Sequence, residues 1–313
     1  MLRYVLKRIG NIVILLIGIS FIIFASLYLA PGDPAELVAG ANATPDDIER
    51  VRVFLGLDKP FLVQYWIYFT NLIQGNLGTS LVTRQPVLNE IIVRLPHTLN
   101  LAFTSMLVAV IIGIPAGILS AIKKDSWLDN LISTTSLAGI SVPNFWLGSM
   151  LILLFSVVLR WLPTGGMTEP FWTSLGFKQA ILPSIALGMS VAASFMRVGR
   201  SAMLDVMQSD YIRTARSKGL KYSTIVVIHA LRNALIPILT IFGTSFGGLL
   251  GGAIVTEQVF VINGIGTYLL TSINMRNYPA VQSTVLVIAF FFVFVNLLVD
   301  LLYVVVDPRI SYE

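Results

Sequence analysis

The chain contains six uncharged apolar stretches that are long enough, or nearly so, to cross a membrane. An α-helix rises ~1.5 Å per residue, so about 20 apolar residues cover a hydrocarbon core of about 30 Å. The fourth stretch is short and should borrow flanking residues, while the third is long and contains Pro143, which predicts a tilt or a break. The predicted spans are Ile9–Ala30, Leu99–Ile122, Leu131–Leu159, Ala180–Met196, Ala234–Thr256 and Tyr278–Val299.

The polar segment between the first two stretches carries helix signals of its own. Thr44 and Pro45, followed by two Asp residues, predict a helix start, and Gly56 is its predicted stop. A second helix is expected from Pro60 to Gly75, and a third is expected to begin near Pro86. We therefore expect three parts: an N-terminal tail with the first span (1–30), an external helical cap (31–98) and a five-helix core (99–313).

Composition agrees with a fold in lipid. Of the 313 residues, 56% are apolar and 12% are charged, whereas soluble domains carry about 25% charged residues. The absence of Cys excludes disulfides and thiolate chemistry, and two His leave little material for a metal site. The sequence thus predicts an all-α polytopic membrane protein, with no catalytic, cofactor or metal site of its own.

Basic residues predict the orientation of the chain. With six spans, both termini lie on one side, and that side holds 13 Lys and Arg, against three in the short loops opposite. Because basic residues collect on the cytoplasmic side, both termini should be cytoplasmic. We assign the net charge of +5 to this asymmetry and to contact with the lipid bilayer, and we expect no nucleic-acid partner.

The long cytoplasmic loop 197–233 carries a short predicted helix. Ser209 and Asp210 can cap a helix over Tyr211–Lys218, and Gly219 can end it in the left-handed conformation. A helix of ~12 Å is marginal in water, so it should need a surface to dock against. The alternative is a basic loop that rests on anionic lipid headgroups.

This loop resembles a known family. The segments Asp210–Gly219 and His229–Pro237 look like the cytoplasmic loop of binding-protein-dependent ABC permeases of the dipeptide, oligopeptide and nickel branch. The general loop pattern of these importers begins Glu-Ala-Ala, whereas Arg213 and Thr214 stand in the first two positions here, as is typical of the peptide branch. Further stretches agree over nearly the whole chain: Pro31–Pro34, Leu55–Pro60, Ser141–Asn144, Arg276–Pro279, Asp300–Tyr303 and Asp307–Arg309.

The resemblance implies a type I ABC importer permease fold and a mechanism of alternating access. Its partners would be a homologous second permease, two ATPase subunits and an external substrate-binding protein. The loop helix would be the coupling helix that contacts an ATPase, and small Ala215 and Gly219 would permit close approach. The implied coupling residues are Asp210, Tyr211, Arg213, Thr214, Ala215, Arg216, Lys218 and Gly219.

The expected solute is a peptide, with glutathione-like peptides and nickel chelates as alternatives within the same family. The chain has no Gly-x-x-x-x-Gly-Lys-Ser/Thr phosphate loop, so ATP and Mg²⁺ should be bound by the ATPase subunits. A proton- or sodium-coupled secondary transporter is a weaker hypothesis, because neither a charged relay in the spans nor an inverted repeat is evident.

Several spans carry candidate path or packing residues. In the fifth span, Gly243, Gly247 and Gly251 recur every four residues, a spacing that lets helices approach closely in lipid. This glycine face could contact the second permease near the translocation path, or it could pack within the chain itself. Pro143 and Asn144 are further candidates for the path.

Two other patterns have structural interpretations. Asp300 interrupts the last apolar stretch, and pairing with an N-terminal Arg is favoured over proton coupling. Gly243–Gly247 also matches the Gly-x-Ser-x-Gly nucleophile pattern, but that motif requires a strand-to-helix turn and a nearby His. We expect a transport subunit and not an enzyme.

Overall fold

The computed structural model describes residues 2–29, 32–40 and 42–306. Within these residues the chain is helical and contains no strand, apart from one isolated bridge between Thr79 and Pro86. The helices are α1 (Leu2–Tyr28), α2 (Pro34–Ala39), α3 (Pro45–Phe54), α4 (Phe61–Ile73), α5 (Val87–Ile122), α6 (Trp127–Ser141), α7 (Asn144–Leu151), α8 (Ser174–Met207), α9 (Asp210–Ser217), α10 (Tyr222–Thr224), α11 (Leu231–Val259), α12 (Ile265–Asn274) and α13 (Tyr278–Val306).

Two π-helical segments join these helices. Ile152–Val158 continues α7, and Ile225–Ala230 connects α10 to α11. Five helical stretches of the described chain are long and apolar enough to cross a membrane, and there are six if α6 and α7 with its extension form one span. That pair is bent by 104° at a break beside Pro143. The predicted six spans and the predicted break are thereby confirmed.

One compact unit comprises residues 1–96 and 263–293. Its helix α3 has the predicted start, because Thr44 and Asp47 form a reciprocal capping box, and Gly56 follows the helix with a φ of +70°. Asn277 fixes a loop of this unit: its side-chain oxygen accepts from the Leu81 N–H at 3.0 Å, and its amide donates to the Ser80 hydroxyl at 2.8 Å. Beside it lies an apolar core of Val87, Ile91, Ile265, Tyr268 and Ala280.

The other compact unit comprises residues 97–262 and 294–313. Its central helix is α8, which packs against α6, α7 and α11. Helices α5 and α8 approach so closely that a Cβ added to Gly113 or Gly117 would lie 2.6 Å from a backbone oxygen of α8. Small residues four apart permit such contacts in lipid. Gly113 and Gly117 of the second span therefore permit close packing of α5 against α8, although the predicted packing glycines lie in the fifth span.

Candidate coupling site and membrane helices

Helix α9 occupies the predicted coupling segment, shifted by one residue towards the N-terminus. Gly219 ends it with a φ of +74°, as expected. The Ser209 side chain does not cap the helix as predicted, because its hydroxyl instead donates to the Val206 carbonyl at 2.6 Å. The backbone of Ser209 is nonetheless extended, so the chain turns there from α8 into α9.

The chain itself provides the surface on which α9 docks. Ile212 is completely buried and Ala215 is 8% exposed, and both join a core cluster with residues of α8 and the start of α11. The Tyr211 hydroxyl also accepts a hydrogen bond from the Asn233 side chain at 2.6 Å. The surface that this short helix needs is therefore the chain's own core. One expectation is corrected, because Ala215 faces this core and does not face a partner.

The outward face of α9 is polar and basic. Tyr211 is 44% exposed. The other implied coupling residues that are exposed are Asp210, Arg213, Thr214, Arg216, Lys218 and Gly219. Arg213 pairs with Asp210 one turn earlier, but both side chains are at least 80% exposed, and exposed pairs of this kind contribute little to stability. The basic groups of α9 are therefore exposed on a helix that is docked on the chain's own core, where another molecule can reach them.

A buried ion pair joins helices that precede α9 in the chain. Both oxygens of the Asp129 carboxylate accept from the Arg200 guanidinium of α8, at 2.7 Å each. The Ser120 hydroxyl of α5 and the Asp125 N–H donate to the same carboxylate. The Asp129 side chain is 3% exposed and that of Arg200 is 30% exposed. Asp129 thus joins α5, α6 and α8 at the end of α8 that leads into α9.

Sequence reasoning missed this pair for an identifiable reason. Asp129 comes two residues before the third apolar stretch, and Arg200 comes four residues after the predicted end of the fourth. Helix α8 in fact continues to Met207. The signal that could have shown this is the spacing of Gly199, Ala202 and Met203, which remain buried at helical intervals beyond the apolar stretch.

Buried polar groups also join the membrane helices. Glu257, at the end of α11, is fully buried and accepts from the Thr98 hydroxyl of α5 at 2.5 Å. The Ser184 hydroxyl of α8 donates to Thr104 of α5 at 2.6 Å. Glu257 lies one residue beyond the predicted fifth span, so the sequence analysis passed over it. Such groups stay buried because each has a hydrogen-bond partner.

A cavity of about 740 Å³ lies within the unit formed by residues 1–96 and 263–293. Tyr28, Lys59 and Tyr278 contribute to its lining, together with Arg52. The Arg52 guanidinium is engaged by the carboxylates of Asp33 and Glu49. The cavity is within the size range of small-molecule sites, and its walls combine aromatic rings with charged groups.

The glycine face of α11 is buried at one end and exposed at the other. Gly243 is buried, and a Cβ added there would lie 2.9 Å from the Val299 side chain of α13, so Gly243 serves packing within the chain. Gly247 is buried as well. Gly251 is exposed, and among the described residues nothing lies within 4 Å of a Cβ added to it.

Comparisons with known proteins agree with this geometry. Residues 113–312 match the family described as "Binding-protein-dependent transport system inner membrane component", and residues 1–102 match the corresponding N-terminal family. The chain belongs to this family of binding-protein-dependent permeases. It is therefore a multi-pass inner-membrane subunit of an ABC importer, a transport component rather than an enzyme.

Relatives match the permease over its full length. It is 45% identical over 313 residues to "Glutathione transport system permease protein GsiC" of Escherichia coli (strain K12), and 46% identical to the protein of that name from Pectobacterium atrosepticum, with both chains fully covered in each case. A solved structure of the methionine ABC transporter MetNI, in an inward-facing conformation, matches with a TM-score of 0.59 at 18% identity. The match covers 69% of the permease and 96% of that chain, and it confirms the expected type I fold.

The structure describes three further predicted site residues to different extents. Pro143 caps α7 and Asn144 is its first residue, so both stand at the bend in the third span. The side chain of Asp300 lies outside the described residues, and its pairing with an N-terminal Arg stays a prediction.

Proposed function

We propose that the permease forms half of a translocation path for short peptides, with glutathione as the first candidate solute. The observation that carries this proposal is the full-length identity of 45% to permeases named for glutathione transport. Glutathione is itself a small peptide, so this solute lies within the peptide class that the sequence suggested. The cavity in the unit formed by residues 1–96 and 263–293 is large enough for a solute of this size, and residues of the 31–98 segment line it in part, so we propose that this segment takes part in substrate entry.

Uptake by the assembled transporter tests the solute. The permease should be reconstituted in liposomes with its second permease, its ATPases and its binding protein, and offered labelled glutathione, a labelled dipeptide or a nickel chelate. We expect ATP-dependent accumulation of glutathione, and competition by unlabelled glutathione but not by free glutamate. Accumulation of the dipeptide alone would keep the peptide class and reject glutathione. Accumulation of the nickel chelate alone would reject both.

ABC importer permeases work with ATPase chains, a second permease and a binding protein. For this permease we propose a homologous partner subunit and two ATPases, with α9 as the coupling helix that contacts one of them. Support comes from the packing of α9 on the cluster around Ile212 and from its exposed Arg213, Arg216 and Lys218. Closure of the ATPases would push on α9, and the packed core beneath it would pass the motion to α8 and α11.

We also propose that both termini are cytoplasmic, on the basis of the 13-to-three distribution of basic residues. A reporter fused after Glu313 should then be active in the cytoplasm. A single cysteine placed at Asn42 should react from outside intact cells with a reagent that cannot cross the membrane. An external C-terminus would contradict the proposed orientation.

The exposed part of the glycine face on α11 is proposed to contact the second permease. Replacing Gly251 by Leu should leave the amount and monodispersity of the separately expressed permease unchanged, because the added side chain enters open space. It should reduce the second permease that co-purifies, because a bulky group separates helices that small residues bring together.

Gly243→Leu is the matched control on the same helix. Its side chain would collide with Val299, so this variant should already lose yield and monodispersity as a single chain. Normal co-purification and uptake with Gly251→Leu would show that this face contacts lipid instead.

A further inference from the structure

Helix α4 combines an unusual composition with an unusual length. Its 13 residues include ten apolar side chains and no charged one. At ~1.5 Å per residue it is only ~20 Å long, too short to cross a hydrocarbon core of about 30 Å. Uncharged apolar helices of this length are either buried core helices or segments that lie in the membrane interface.

Within this chain alone, α4 is not a buried core helix. Among the described residues, which include all of α4, no residue of this helix is fully buried, although several are partly buried. Leu62, Trp66 and Ile73 are each more than 60% exposed. The described residues of the chain therefore leave a row of large apolar side chains exposed on one face of α4.

The other face of α4 packs along α1, which is a candidate membrane span. The rings of Phe61 and Tyr65 contact Phe21 and Phe24, and Phe61 also contacts Tyr28, with ring centroids 4.9 to 5.8 Å apart. All these partners belong to the last two turns of the span Gly10–Tyr28. Helix α4 thus lies beside the part of α1 that is inside the membrane.

A hydrogen bond between α4 and α1 indicates how far α4 extends along the membrane span. The Tyr65 hydroxyl lies 3.0 Å from the Ser20 hydroxyl of α1. Ser20 precedes the end of the span at Tyr28 by eight residues, which corresponds to ~12 Å along the helix axis. Helices that lie in the membrane interface bury their apolar faces by about 5–10 Å. The Tyr65 side chain therefore contacts the span at a level at least as deep as an interfacial helix reaches.

The neighbouring helix α3 has the opposite character. Its ten residues include Asp46, Asp47, Glu49, Arg50 and Arg52, and the Arg50 side chain is 81% exposed. Two consecutive helices of one segment therefore differ sharply in charge, as expected where one faces water and the other faces lipid.

We propose that α4 is embedded in the leaflet at which α1 ends, with Leu62, Trp66 and Ile73 against acyl chains. In the proposed orientation this is the outer leaflet. Tyr65, Trp66 and Tyr68 suit this level, because Tyr and Trp collect at membrane interfaces. The aromatic helix α4 is then a membrane anchor, whereas the charged helix α3 faces water.

Site-directed spin labelling tests the proposal directly, because the natural chain has no Cys. Nitroxides should be attached at Leu62→Cys and Trp66→Cys in the assembled transporter in liposomes. Their collision rates with oxygen, which concentrates in the bilayer, and with a water-soluble nickel chelate are then measured. We expect high oxygen and low chelate accessibility, at a depth within the hydrocarbon when calibrated with spin-labelled lipids. Arg50→Cys on α3 is the matched control, and it should show the reverse.

Each other outcome would overturn the proposal. Chelate accessibility at positions 62 and 66 equal to that at position 50 would place α4 in water. Low accessibility to both reagents would mean that another protein covers the helix. If the label at position 66 prevents assembly, Val63→Cys on the same exposed side provides the reading, since Val63 is 44% exposed.

Discussion

Replacing Arg213 and Arg216 together by Glu should nearly abolish ATP-driven uptake while the permease still inserts and folds. Both side chains point away from the chain on the exposed face of α9, and neither contributes to the core beneath it. The change reverses the charge of the surface proposed to meet an ATPase. Like charges at an interface cost several kcal/mol, and a loss of only about 1.4 kcal/mol in docking already means a tenfold loss in affinity. We expect at least about a tenfold loss of uptake on this basis.

The matched control carries the same charge change elsewhere on the side proposed to be cytoplasmic. Lys123 and Lys124 are exposed after α5 and lie outside α9, so Lys123→Glu with Lys124→Glu should leave uptake near the unmodified level. Co-purification of the ATPases, their ATP hydrolysis and the monodispersity of the complex should be measured for both variants. Normal uptake by the Arg213→Glu, Arg216→Glu permease would reject the coupling role of this surface. Equal losses in both variants would show a general effect of cytoplasmic charge.

The structure also explains why a substitution of Ala215 would be a poor test of coupling. A carboxylate at this position would enter the cluster of Ile212, Met203 and Ala230, all of which are buried within the chain. Burying a charge without a partner is costly, so the variant would lose its own fold whether or not α9 contacts an ATPase. Substitutions of the outward-facing side chains can distinguish a loss of contact with the ATPase from a loss of the fold.

The membrane helices were predictable from sequence because lipid imposes a simple rule on them. A backbone in lipid must satisfy its hydrogen bonds internally, so each long apolar stretch becomes a helix. Local signals also worked where they act through backbone geometry, as with Thr44 before α3 and Gly219 after α9. These features depend on residues close together in the chain.

The parts that sequence reasoning missed depend on contacts between distant residues. The extension of α8 beyond its apolar stretch is held by Arg200, whose partner lies 71 residues earlier. The inward position of Ala215 depends on where α11 begins. The contact of α4 with α1 was not predicted either, because it joins Ser20 and Tyr65, which lie 45 residues apart in the chain.

Replacing Asp129 by Asn should strongly reduce the stability of this permease. The substitution keeps the shape of the side chain but removes the negative charge of the carboxylate, whose two oxygens accept hydrogen bonds from the Arg200 guanidinium. Breaking a buried ion pair by neutralising one partner costs about 3–5 kcal/mol. Because Arg200 is 30% exposed and can be partly hydrated, we expect a value near the lower limit, about 3 kcal/mol. Unfolding in mixed micelles, followed by far-UV circular dichroism, measures the loss.

A double-mutant cycle shows whether the pair itself is responsible. Arg200→Gln should also destabilise, because it leaves the Asp129 carboxylate buried without a positive partner, with the uncharged donors Ser120, Asp125 and Ser133. Combining the two changes removes both charges, so the double variant should lose clearly less stability than the sum of the single losses. Asp205→Asn is the control, since Asp205 lies on α8 but is exposed, and it should be within about 0.5 kcal/mol of the unmodified chain. Additive losses in the cycle would mean that the two residues act separately, and that α5, α6 and α8 are joined by apolar packing alone.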